Sequence, residues 1–111
     1  MKIQTQDYND VTVIELQGDF DSDYTELFKN AVLKVVSQNK QGIVVDMASV
    51  GFIDSQGLEQ LLWARDYCNQ NNTQLKLAAL DEKCRNIFQV TRLELEFDDY
   101  SEVAQAAKSF A

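Results

Sequence analysis

The stretch IVVDMASVGFIDSQGLEQLLWARDYC, Ile43 to Cys68, contains a change of period. Ile43–Met47 is a short continuous apolar run, the pattern of a buried strand covered on at least one side. From about Gln56 the apolar positions recur at steps of three and four, so the spacing predicts a helix over 56–70. The polar run NQNNTQ ends it. Asp54, Ser55, Gln56 and Gly57 crowd the hand-over between strand and helix. A helix start leaves up to four N–H groups unpaired, and an aspartate or serine oxygen can accept one of them. Gly57 in the first turn weakens a helix by about 1 kcal/mol relative to alanine. A small residue there reads as leaving space around Ser55.

Two readings of Ser55 follow from this chemistry. One is a cap. The other is a phosphoacceptor, because a helix N-terminus carries partial positive charge and free N–H donors. A phosphate would add about −1.5 to −2 charges beside Asp54, and Asp46 at the end of the strand is expected nearby.

Upstream, VTVIELQG (Val11 to Gly18) places Val11 and Val13 on one side and Thr12, Ile14 and Leu16 on the other, a β-branched strand with a buried face. The 7-DYND-10 cluster before it supplies turn residues for a hairpin with KIQTQDY. From about Ser22, Tyr24, Leu27, Phe28, Ala31, Val32, Val35 and Val36 form one helical stripe, capped by Ser22 or Asp21 and closed by SQNKQG at Gly42. Downstream, Leu75–Leu80 reads as a strand and 82–90 as a third helix. A fourth helix is expected over 101–110, with Phe97 and Tyr100 packed in the connection. The order is β-β-α-β-α-β-α-α. It predicts one α/β domain over residues 1–111, with a mixed sheet of about four strands and helices mainly on one face.

Composition narrows the function classes. The chain has 111 residues, 18 acids against 10 bases, and a net charge of −8. That balance repels phosphate backbones and argues against nucleic-acid binding. Without histidine, a Ser-His-Asp arrangement is impossible, and two separated cysteines do not make a zinc site. Cys84 stands near Arg85, but a Cys-x5-Arg loop needs arginine where Val90 stands. No G-x-x-x-x-G-K loop occurs. The start MKIQTQDYND has no apolar leader and no stretch is long enough to span a bilayer, so a cytoplasmic protein with reduced thiols is expected.

The segment VVDMASVGFIDSQGLEQLLWA resembles the signature of the STAS family, the sulfate transporter and anti-sigma factor antagonist domains. The matching positions are Val44, Val45, Asp46, Val50, Phe52, Ile53, Asp54, Ser55, Gly57, Leu58, Leu61 and Leu62; ELQGDFD, LKLAAL and the C-terminal segment agree more weakly. The resemblance implies a small sheet with helices on one side and a non-catalytic, cofactor-free binding module. It implies that Ser55 is phosphorylated by a partner, an anti-sigma factor that is itself a serine kinase, so that binding frees a sigma factor. Asp54, Gln56 and Gly57 would form the switch loop, and Asp46, Leu58, Glu59 and Trp63 would contact the partner. The state expected is a monomer or weak dimer. A second implied role is an accessory subunit of a lipid-type transport ATPase, with the same turn touching the ATPase directly. Two positions depart from the family pattern, Glu59 where a small residue is usual and the large Trp63 four places on. Trp63 either anchors an interface with Tyr67 or packs under the first helix.

Overall fold

The computed structural model describes residues 2–110. Strands β1 (Lys2–Tyr8) and β2 (Val11–Gln17) form the expected hairpin. Its two-residue turn puts Asn9 in the left-handed region, φ 57°, which asparagine tolerates better than most residues. Helix α1 (Thr25–Ser37) follows a 3-10 turn over Ser22–Tyr24, where Asp21 is the cap, its side chain accepting from the Asp23 N–H. Strand β3 (Gly42–Ser49), helix α2 (Ser55–Gln70), strand β4 (Gln74–Ala78) and helix α3 (Glu82–Val90) come next. Strand β5 (Asp98–Tyr100) and helix α4 (Val103–Lys108) complete the chain.

The sheet has five strands in the order β1-β2-β3-β4-β5, one more than the sequence suggests. The extra strand is three residues long, two of them aspartates, and exists because Lys76, Leu77 and Ala78 offer it a parallel partner. β1 runs antiparallel to β2, and every later pair is parallel. Each parallel pair joins neighbouring strands through one helix. Crossovers of one hand along an unreversed strand order place α1, α2 and α3 on the same face. The main core lies there, with Ile14, Leu16, Ile43, Val45, Met47 and Leu77 facing Phe28, Leu61 and Phe88.

The other face carries Val11, Val13, Val44 and Ala78, covered in part by Ala106 and Phe110 of the α4 region. Both sides of β2 and β3 are therefore buried, which is why Ile43–Met47 reads as a continuous apolar run. Lys76 of β4 points to this second face and is 7% exposed. Its ammonium donates to Ser109 Oγ at 2.6 Å and lies 4.2 Å from the Phe110 ring centre. Gly42 does not end α1. Asn39, with φ 58°, makes that turn, and Gly42 opens β3 where a Cβ would overlap the Phe110 ring.

Candidate functional site

The strand-to-helix turn is held from below by one residue of the β2–α1 connection. Phe20 donates its N–H to Phe52 O at 2.8 Å, and its carbonyl accepts the Asp54 N–H at 3.2 Å. This places Phe20 beside Ile53 as an isolated parallel bridge. The Phe20 ring is fully buried and meets Phe28 of α1 edge to face, centroids 5.1 Å apart. The turn is thus tied to the end of β2 and, through the rings, to α1.

The cap of α2 is Asp54, not Ser55. Its backbone is extended, φ −98° and ψ −174°, and its Oδ1 accepts the Gly57 N–H at 3.0 Å. Ser55 is consequently the first residue of the helix, one position earlier than the sequence suggests. Its hydroxyl is exposed and takes part in none of the side-chain hydrogen bonds found among the described residues. Gln56 beside it is exposed as well.

Gly57 has a different reason from the open space expected of it. It is buried. A Cβ built there would stand 2.5 Å from Phe20 O, 2.8 Å from Ile53 Cγ1 and 3.1 Å from Phe20 Cδ1. The glycine lets the first turn of α2 close onto the Phe20 backbone; it opens nothing around Ser55.

The remaining sequence-chosen residues separate. Glu59, one turn on from Ser55, is exposed. Leu58 is 7% exposed and part of the main core, so it is not on the surface beside Ser55. Trp63 is half-buried: it stacks on Tyr67, centroids 5.3 Å apart, and Lys29 of α1 sits 5.8 Å from its ring. It packs toward α1 with one side still accessible, between the two expectations. Asp46 does not join Ser55. Alternation along β3 sends it to the α4 face with Val44, while α2 lies on the opposite face, and its Oδ1 accepts the Ala48 N–H at 3.0 Å.

One surface residue was missed. Phe52, three places before Ser55, is 51% exposed. Its alternation with buried Val50 and Ile53 is too irregular to read from sequence, because residues 50–54 lie outside any regular strand.

Both cysteines are free and buried. Burial pushes both thiols up to about 12, helped at Cys84 by the nearby Asp81 carboxylate, and the Cys84 thiol contacts Val50 O at 3.5 Å. Two open grooves of about 600 Å³ occur on the surface, one between the hairpin tip and α4 and one along α3; neither is lined by the Ser55 turn. No described helix is long and apolar enough to cross a membrane.

Comparison with known proteins agrees with this geometry. The STAS domain family model matches residues 2–106. A STAS-domain containing protein of Pseudomonas aeruginosa (strain UCBPP-PA14) is 31% identical over 84 residues, 76% of this chain and 82% of that protein. An anti-sigma factor antagonist from Mycobacterium paratuberculosis has the same fold, with TM-score 0.87 at 21% identity over 98% of this chain and 92% of that one. So does the Bacillus anti-sigma factor antagonist SpoIIAA in its unphosphorylated form, with TM-score 0.80 at 19% identity over 97% and 96%. The family match over nearly the whole length, with the capped turn in the position the motif requires, shows that this chain belongs to the STAS domain family.

Proposed function

We propose that this protein is an anti-sigma factor antagonist, a binding module switched by phosphorylation of Ser55. The observation that carries the reading is the division of labour at the turn: Asp54 takes the cap, and the Ser55 hydroxyl is left exposed and uncommitted. A serine needed as a cap would have to surrender its bond before accepting a phosphoryl group; this one surrenders nothing. In the unmodified state the surface around Ser55 presents Phe52, Gln56, Glu59 and the accessible side of Trp63 to a kinase-type anti-sigma factor in the cytoplasm. Occupying that partner frees its sigma factor. Phosphorylation adds about −1.5 to −2 charges next to Asp54 and within a turn of Glu59. The helix N-terminus favours the new charge within the chain, while a partner pressed against the site meets repulsion and a large desolvation cost. The protein is the substrate of the kinase and performs no chemistry of its own.

The test is to incubate the protein with its cognate anti-sigma factor kinase and ATP, then map the phosphate. Label on Ser55, abolished in Ser55→Ala, and partner binding weakened at least about tenfold in Ser55→Asp support the reading. Unlabelled Ser55, or a Ser55→Asp variant that binds as well as wild type, sinks it and leaves an unmodified contact surface of the transport-ATPase type.

A further inference from the structure

The outer edge of β1 has no strand paired to it among the described residues. β1 is the outermost strand of the sheet, seven residues long, almost wholly exposed, with no proline and no irregularity in its pairing to β2. Such an edge is a template for another strand, and natural sheets usually blunt it with proline, bulges or inward charges. The two-residue hairpin closes on the Tyr8–Val11 pair, so the alternate residues Ile3, Thr5 and Asp7 direct their backbone N–H and C=O groups away from β2. Asp7 uses its side chain internally, accepting from Thr12 Oγ1 at 2.8 Å with Lys40 at 3.7 Å, which leaves its outward backbone groups free.

We propose that two copies of this chain pair β1 against β1, antiparallel, about a two-fold axis through Thr5. The occupant follows from self-complementarity. Around that axis Thr5 faces Thr5, Ile3 faces Asp7, Gln4 faces Gln6 and Lys2 faces Tyr8 of the second copy. No like charges stand opposite one another, and Lys2 meets an aromatic ring. The three outward residues pair only with one another, giving roughly six ladder hydrogen bonds, two for each facing pair. Both flanks of the edge are prepared for cover. On the α1 side, 53%-exposed Leu27 and half-buried Ile3 line a groove of about 370 Å³. On the α4 side, 48%-exposed Tyr8 and half-buried Val103 border another. The pairing continues the sheet into a ten-stranded one. β2 and β3 separate the edge from α2, so the inference stands whether or not Ser55 is modified.

Sedimentation equilibrium of the full chain tests it, over about 1 µM to 1 mM protein and about 0.05 to 0.5 M salt. The molar mass is expected to rise from 12.7 kDa toward twice that value, at lower protein concentration when salt is high, because each copy carries −8. Thr5→Lys sets two ammonium groups across the axis and is expected to weaken association about tenfold or more. Thr5→Cys is expected to cross-link on mild oxidation faster than Gln70→Cys, since facing Cα atoms lie about 5.5 Å apart and the native thiols are buried. A chain that stays monomeric throughout, a Thr5→Lys variant that associates like wild type, or a Thr5→Cys variant that links no faster than Gln70→Cys overturns the proposal.

Discussion

Replacing Gly57 by alanine sets two principles against each other, and the structure decides the sign. Helix propensity alone favours alanine by up to about 1 kcal/mol. The added methyl, however, would lie 2.5 Å from a backbone carbonyl and 2.8 Å from Ile53 Cγ1. No rotamer change relieves the carbonyl contact, because Phe20 O is fixed by the Asp54 N–H on one side and by the Phe20–Phe52 bond on the other. Relief requires the first turn of α2 to move off the sheet edge. Overpacking of this kind costs about 1–3 kcal/mol, and stretching the Asp54–Phe20 bond adds about 1 kcal/mol. After the propensity gain, the expected net loss is about 2 kcal/mol. For a chain of this size that is a fall of about 1 M in urea midpoint and about 8 °C in Tm. Urea unfolding followed by the fluorescence of Trp63, the one tryptophan, reads it directly. A Gly57→Ala protein as stable as wild type, or more stable, would show that propensity governs the turn and that the close approach to Phe20 is not what selects glycine.

Asp54→Ala is expected to cost about 1 kcal/mol through the lost cap, whereas Ser55→Ala stays within about 0.5 kcal/mol because its hydroxyl has no hydrogen bond among the described residues; equal losses in urea unfolding would reverse the assignment of the cap. Both thiols have their folded pKa raised from 9.0 to about 12, so the proton is held more tightly in the folded state. Stability from this source is complete below pH 9 and falls as pH climbs toward 12. Native protein at pH 8 should resist a thiol reagent until urea unfolds it; rapid labelling without denaturant contradicts the burial. Lys76→Ala removes the stem beneath Phe110 and the bond to Ser109 and should cost about 2 kcal/mol. Hydrogen exchange should quicken first at the α4 amides, and uniform acceleration would refute a local role. Phe52→Ala should leave stability within about 0.5 kcal/mol yet weaken partner binding, and unchanged binding removes Phe52 from the contact surface.

What could be read before the fold was known follows the strength of local periodicity. β2, β3 and the bounds of α3 were legible because apolar spacing there is unambiguous and Asp81 is a ready cap, accepting the Cys84 N–H at 2.8 Å. β5 was not, since Asp98–Tyr100 has no strand pattern and is organised only by β4. At the site, the motif located the turn but not its roles. Asp54 and Ser55 are both good capping residues, and only the hydrogen bond to Gly57 distinguishes them. The need for Gly57 came from Phe20, 37 positions away in the chain, which no local reading reaches. The direction of Asp46 was within reach: it shares the parity of Val44 along β3, but the helix that covers their face lies far downstream.

Phe20 has one further consequence. It ties the turn to β2 by backbone bonds and to α1 by its ring, so the ground under Ser55 cannot yield without unpacking Phe28. A group attached to Ser55 therefore has no lever with which to reshape the chain. What it can alter is the electrostatic potential and steric outline met by whatever approaches. Any message written at this turn is carried as charge on an unmoving plate, legible from outside without being transmitted within.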